Sequence, residues 1–400
     1  MSNNKPPVII LDGAENSLSI ARSLGKRGIA VSVAAMPTCQ AFNSRFINES
    51  YIVPEGQLAK DYYKEVLLGT GSHRLEGSVV LACGDSGIEF IVENHADLSE
   101  KYILDIQKPH LQKALLDKQE TLRMAKEAGI GFPEFWNIDS LDDIEKIADL
   151  VNYPAIIKPI HSHLFVRTFE VKLFQVNNAA ELRQKASLVF EKGLEFMVSE
   201  LIPGPDTLLS SYYTHIDDDG HAMFRFTKQI IRRMPTNFGG ACFHVTKWIP
   251  ETAEKGEHFF RSIGFTGMAN IEFKKDLRDG ELKIIECNAR YTAAQELVTR
   301  SGMDISYMIY QFLIKHNPKV GVKPATVTQY KENLHYWYPR EDFRSFLSGS
   351  ARGELSFIQW LKSIAHFPMV LPYWSISDPK PSLVSLANTV RNRINFRKLS

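Results

Sequence analysis

Cysteine is scarce in this chain and scattered. Its four copies, Cys39, Cys83, Cys242 and Cys287, share no Cys-x-x-Cys spacing. That argues against structural zinc and a disulfide framework, and it fits a reducing compartment. Long apolar runs are also missing, since none approaches the roughly 18 residues that a membrane-spanning helix needs. The start, MSNNKPP, is polar and shows no secretory h-region. Charge of one sign is missing as well: 47 Lys and Arg balance 46 Asp and Glu, for a net charge of +1. This excludes nucleic-acid binding driven by bulk charge. Gly-x-Gly-x-x-Gly is absent from the first strand-to-helix turn, which reads Asp12-Gly13-Ala14-Glu15-Asn16-Ser17, so a nicotinamide-binding oxidoreductase is disfavoured. These absences lead us to expect a cytoplasmic protein without nucleic-acid or membrane partners, built from two or three domains.

What is present is concentrated between Gly267 and Arg290, GMANIEFKKDLRDGELKIIECNAR. Asp279-Gly280 between two alternating runs predicts a β-hairpin. On the first strand Ile271 and Phe273 alternate with Asn270, Glu272 and Lys274. On the second, Ile285, Cys287 and Ala289 alternate with Ile284, Glu286, Asn288 and Arg290. Glu272 and Glu286 are symmetric about Asp279 (279 − 272 = 286 − 279 = 7). In a regular hairpin they are cross-strand partners with Cβ atoms roughly 5 Å apart. Two adjacent carboxylates repel unless a cation lies between them. A hard divalent ion with oxygen ligands suits that place, and Asn288 adds an amide oxygen on the same face. Arg290 continues the face and suits bidentate contact with a phosphoryl or carboxylate group.

With its paired glutamate, this Glu-x-Asn-x-Arg hairpin resembles the ATP-grasp superfamily, and the likeness extends over about residues 5–310. It is most similar to the carboxylate-amine ligase branch. The resemblance implies that Glu272, Glu286 and Asn288 hold Mg²⁺ or Mn²⁺ between the phosphates of ATP. The segment Asp117-Lys118-Gln119 lies within a helix running from about Leu111 to Ala128, and Lys118 matches a lysine that reaches the phosphates. Lys158 closes the apolar strand Pro154-Ala155-Ile156-Ile157-Lys158-Pro159. A buried lysine there needs an anion, and the family places one on the ATP phosphates. In Phe196–Asp206 the resemblance makes Glu200, Leu201 and Ile202 the hinge whose backbone reads the adenine edge, with Asp206 on the ribose hydroxyls. The chain departs from the family after Lys158. Where many relatives have a glycine-rich loop, this one reads His161-Ser162-His163-Leu164-Phe165-Val166-Arg167. We expect a lid in which His161, His163 and Arg167 supply donors instead.

The N-terminal order of strand, turn and helix reads as βαβ units: strands at Val8–Leu11, Ile29–Ala35, Tyr51–Val53 and Val79–Cys83 alternate with helices. Gly84-Asp85-Ser86 follows a strand, where ligands of such sheets gather. A second hairpin spans Thr207–Ile216 and Ala222–Ile231. Alternation puts Lys228, Ile230 and Arg232 on one side, so Arg232 is expected to bind an anionic substrate or the transferring phosphate. The expected fold is therefore α/β: residues 1–110 an open parallel-sheet domain, 111–315 an ATP-grasp core of two α+β subdomains, and 316–400 a C-terminal extension. The resemblance implies ATP-dependent activation of a carboxylate and its joining to an amine. Arg290, Arg232 and Lys158 would be catalytic, and the substrates would be small carboxylates and amines such as amino acids. Homodimers are common in the family. Another acceptor (bicarbonate or formate), or a regulatory module that binds nucleotide without turnover, stays open at this level.

Overall fold

The computed structural model describes residues 5–160, 162–236, 238–315 and 326–399. The chain begins with β1 (Val8–Leu11), α1 (Glu15–Gly25), β2 (Val31–Ala35), β3 (Glu49–Ile52), α2 (Ala59–Leu68), β4 (Val79–Ala82), α3 (Asp85–Glu93), α4 (His95–Lys101) and β5 (Ile103–Leu104). The strands form one parallel sheet in the order β3-β2-β1-β4-β5. Its central strands are buried at every position because helices cover both faces. The strand order reverses between β1 and β4. There the chain leaves β1 through Asp12 (φ 63) and Gly13 (φ 102). A Cβ on Gly13 would stand 2.8 Å from Asn16, Ser17 and Cys83, so the close turn demands glycine.

Two helices follow, α5 (Pro109–Leu116) and α6 (Lys118–Glu127). The single helix expected over Leu111–Ala128 is broken at Asp117. Its side chain accepts from the N–H groups of Gln119 (2.8 Å) and Glu120 (3.2 Å), an N-cap that ends one helix and starts the next. The break makes Lys118 the first residue of α6.

A small antiparallel sheet comes next, from β6 (Phe135–Ile138), α7 (Leu141–Ile147), β7 (Ala155–Pro159), α8 (Ser162–Phe169), β8 (Phe174–Val176), α9 (Ala179–Glu191) and β9 (Phe196–Glu200), in the order β6-β9-β7-β8. Helices α7 and α9 bury Ile144, Ile147, Leu182 and Val189 against it. The segment expected as a lid forms α8. Its Phe165 is fully buried, 4.8 Å from Phe169 and 5.1 Å from Phe174 between ring centres. Arg167 is exposed on this helix. His161 and the side chain of His163 lie outside the described residues.

The second sheet is larger. It contains β10 (Leu209–Ile216), β11 (Phe226–Met234), β12 (Gly240–Thr246), then, after α10 (Pro250–Ser262), β13 (Gly267–Lys275) and β14 (Leu282–Asn288). Helices α11 (Gln295–Arg300) and α12 (Ile305–Lys315) lead back to the N-terminal sheet. Ile305, Ile309 and Tyr310 share one core with Val8, Val31, Tyr213 and Phe226. That shared core fixes the first domain against the large sheet.

The last segment holds β15 (His335–Trp337), α13 (Pro339–Ala351), α14 (Phe357–Ile364), β16 (Met369–Val370) and α15 (Lys380–Leu399). It is not a separate appendage. β15 and β16 complete the large sheet, whose order is β14-β13-β10-β11-β12-β15-β16. Its far end is tied to the first domain by Arg22 and Asp378, 3.0 Å apart with side chains 3% and 1% exposed. Ser44 Oγ and the Arg45 N–H also donate to Asp378. Among the described residues no helix is long and apolar enough to cross a membrane.

Candidate active site

The two antiparallel sheets face each other across a cleft of about 940 Å³. From the small sheet, Ile156, Lys158 and the segment Ser199–Ile202 line it. From the large sheet come Lys228, Glu272, Lys274, Glu286, Asn288 and Arg290.

Glu272 and Glu286 are cross-strand partners, as the symmetry about Asp279 predicts, and so are Asn270 and Asn288. The route to that pairing is not a regular hairpin. Nearer the turn the partners are Phe273 with Ile284, Lys274 with Lys283 and Lys275 with Leu282, a register centred half a residue earlier. Ile285 is the extra residue of a β-bulge, which re-aims the side chains beyond it. Ile284 is therefore fully buried in the core and Ile285 lines the cleft, the reverse of the strict alternation expected. Beyond the bulge Cys287 and Ala289 face the core, leaving Glu286, Asn288 and Arg290 on the cleft.

Lys158 closes β7 inside the cleft. Burial pushes its ammonium down to about 8, Glu286 opposes that shift, and neighbouring Lys118 adds to it. Lys118 Nζ reaches the carbonyl oxygens of Pro159 and Ile160, each at 3.4 Å. The N-cap at Asp117 and the end of β7 thus place two lysines and Glu286 together. Glu272 accepts from Ser211 Oγ at 3.2 Å and stands 3.9 Å from Lys228 Nζ. Among the described residues no three His, Cys, Asp or Glu side chains converge as a closed metal cage. Two carboxylates with one amide oxygen suit Mg²⁺, which keeps waters and phosphate oxygens as its remaining ligands. The donor set therefore fits.

At the hinge, Glu200, Leu201 and Ile202 line the cleft. The Glu200 side chain is taken by Arg278 at 2.6 Å. Asp276 completes this cluster, and Arg278 and Lys283 hold its carboxyl well below the usual range.

Two expected residues fall elsewhere. Arg232 does not line the cleft. Register shifts in β11, between Ile230, Arg232 and Arg233, turn it to the opposite face of the sheet. There its Nε and Nη2 donate to fully buried Asp342 at 2.6 and 3.0 Å. Arg233 lines the cleft instead. Asp206, expected on the ribose, is 7% exposed and bound by Arg233: Oδ1 accepts from Nε and Oδ2 from the backbone N–H, each at 3.0 Å. Its carboxylate fixes Arg233.

Arg290 lines the cleft and donates to Asp85 Oδ1 at 2.6 Å, joining the large sheet to the loop after β4. The Gly84-Asp85-Ser86 turn thus reaches the site through Arg290. Cleft residues not anticipated are Lys274, His244, Glu15, Tyr338 and Glu341. Lys274 shares the period-two face of Glu272, a signal the sequence carries. It is 5% exposed, donates to the Gly204 carbonyl at 2.7 Å, and is pushed down to about 8 by burial and by Arg233. The other four come from distant segments, and no local pattern marks them.

No family model matches the chain. The biotin carboxylase domain of Hydrogenobacter thermophilus 2-oxoglutarate carboxylase, solved with MgADP and bicarbonate, superimposes with a TM-score of 0.62 at 14% identity. The match covers 83% of this chain and 74% of that one. The L-amino acid ligase of Bacillus licheniformis gives 0.57 at 16% identity, over 80% and 78%. The chain has the ATP-grasp fold. A sequence relative points the same way: the D-aspartate ligase of Enterococcus faecium is 23% identical over 300 residues, 72% of this chain and 69% of the relative.

Proposed function

We propose that this protein is an ATP-dependent carboxylate-amine ligase. It phosphorylates a small carboxylate and joins it to an amine, releasing ADP and phosphate. The observation that carries this reading is the pairing of Glu272 with Glu286 across the cleft from Lys158, with Asn288 and Arg290 on the same face. The D-aspartate ligase relative and the L-amino acid ligase neighbour support an amino acid as substrate.

The residues divide the work. Backbone groups of Glu200–Ile202 orient the base. Lys118 and Lys158 hold the phosphates, as two half-buried cations side by side in a cleft favour an anion. Bound to Glu272, Glu286 and Asn288, Mg²⁺ supplies charge neutralisation along the phosphates. Arg290, held by Asp85, orients the carboxylate towards the γ-phosphorus. A carboxylate oxygen forms a bond to that phosphorus as the bond to ADP breaks. The amine nitrogen then attacks the acyl carbon, phosphate leaves with the electron pair, and the nitrogen gives up its surplus protons. Stabilising this charge in place is the main contribution that such a cleft makes. No protein nucleophile is needed.

The test is ADP release with Mg-ATP against a panel of D- and L-amino acids, with Glu286→Gln as control. Release that requires one carboxylate and one amine, and that falls roughly a hundredfold or more in Glu286→Gln, is the expected result. Tight ATP binding without carboxylate-dependent release would refute the reading.

A further inference from the structure

One end of the cleft is built by segments outside its two facing sheets. Glu15, in the first turn of α1, and Glu341, in the first turn of α13, both line it. Neither carboxylate enters an ion pair among the described residues. Glu15 is held in direction: Oε1 accepts from the Tyr338 O–H at 2.7 Å and Oε2 from the Tyr373 O–H at 3.4 Å. Each oxygen keeps a further lone pair for a donor. Burial raises the Tyr373 hydroxyl most, and the charges of Glu15 and then Glu341 push it further the same way.

The cleft also contains an unsatisfied polar side chain, linked to Tyr338 through one intervening ring. His244 lines the cleft, is 2% exposed, and neither ring nitrogen has a hydrogen-bond partner among the described residues. Its ring is 5.0 Å from Tyr336, which is 5.1 Å from Tyr338, so the rings run continuously from His244 to the tyrosine that grips Glu15. A buried polar group without a partner is costly and is expected to meet one in a ligand complex. Lys228 and Arg290 line the cleft beside carboxylates of their own, Glu272 at 3.9 Å and Asp85 at 2.6 Å, whereas Glu15 and Glu341 have no cationic partner among the described residues. Tyr338 O–H lies 3.5 Å from the Ala293 carbonyl, three residues from Arg290, so the negative end adjoins the group assigned to the carboxylate.

We propose that Glu15, Glu341 and Tyr338 form the subsite for the amine co-substrate, received as a primary ammonium ion. Two uncompensated carboxylates facing one space favour a cation between them, and a primary ammonium has three donors for them. The proposal rests on the ligase reading above. It gives the chain after residue 325 a role in substrate choice, because α13 supplies half of the subsite.

The experiment separates the two half-reactions. Hydroxylamine is small and largely uncharged at neutral pH, and it traps an acyl phosphate as a hydroxamate without needing an ammonium site. The full chain is given Mg-ATP and D-aspartate or whichever amino acid supports turnover. The nucleophile is either hydroxylamine or glycinamide, a primary ammonium with no carboxylate. In Glu15→Gln and Glu341→Gln the ratio of hydroxamate to amide should rise about tenfold, through KM for glycinamide, the loss of one charge-assisted contact. Tyr338→Phe, which keeps the carboxylate and loosens it, should give a smaller rise in the same direction. An unchanged ratio in all three variants would overturn the subsite, and so would parallel loss of both products. If the unsubstituted protein makes no hydroxamate from any amino acid, the ligase reading itself fails.

Discussion

Arg232→Met decides between the role that alternation suggests for this arginine and the role that the structure gives it. Arg232 is 12% exposed in its side chain, and Asp342 is fully buried. Their two hydrogen bonds, at 2.6 and 3.0 Å, form a bidentate pair, and Arg232 Nη1 also donates to Ser363 Oγ at 2.8 Å. The guanidinium carbon lies 4.7 Å from the centre of the Phe243 ring. Removing one partner of a buried pair costs about 3–5 kcal/mol, because the other charge stays buried. Asp342 keeps the indole N–H groups of Trp337 (3.0 Å) and Trp360 (2.9 Å), so the lower end, about 3 kcal/mol, is expected. Those indoles flank the lesion, and their fluorescence during urea unfolding reports it. At low temperature, below the new transition, substrate-dependent ADP release should stay within about threefold of the unsubstituted chain, less than 1 kcal/mol. An Arg232→Met protein of unchanged stability whose turnover falls a hundredfold would refute the reasoning and return Arg232 to the catalytic group.

Two further perturbations test the phosphate end. Because burial holds the free Lys158 near 8, ATP binding must work against deprotonation above that pH; affinity should be flat below about 8 and fall up to tenfold per unit above it, a slope that Lys158→Met removes, as titration calorimetry in several buffers would measure. A flat profile to pH 9.5 would count against Lys158 as a phosphate ligand. Asp117→Ala should cost about 1 kcal/mol by loss of the N-cap, and by letting α5 and α6 run together it should weaken ATP binding through Lys118; unaltered affinity would separate the cap from the site.

Much of the candidate site is written locally. Strand periods and the Asp279-Gly280 turn are short-range quantities, so the hairpin follows from its own residues, while the pairing of Glu272 with Glu286 is completed by the bulge at Ile285. Lys158 is legible for a similar reason: a lysine closing an apolar strand has few ways to be satisfied. The N-terminal parallel sheet also follows from its run of apolar strands and intervening helices. Period-two alternation fails wherever a bulge intervenes. It put Ile284 on the charged face and Arg232 in the cleft, because a bulge depends on how a strand fits its neighbours and not on its own residue pattern. The sequence determined the strands and the hairpin that carries the two glutamates. Only the tertiary structure decided that Asp206 would be claimed by Arg233 and Glu200 by Arg278, and that Glu15 and Glu341, 326 positions apart (341 − 15), would share one end of the cleft. The last of these is made by long-range packing, chiefly β15 and β16 joining the large sheet and Asp378 locking onto Arg22. No local pattern specifies a partner hundreds of residues away.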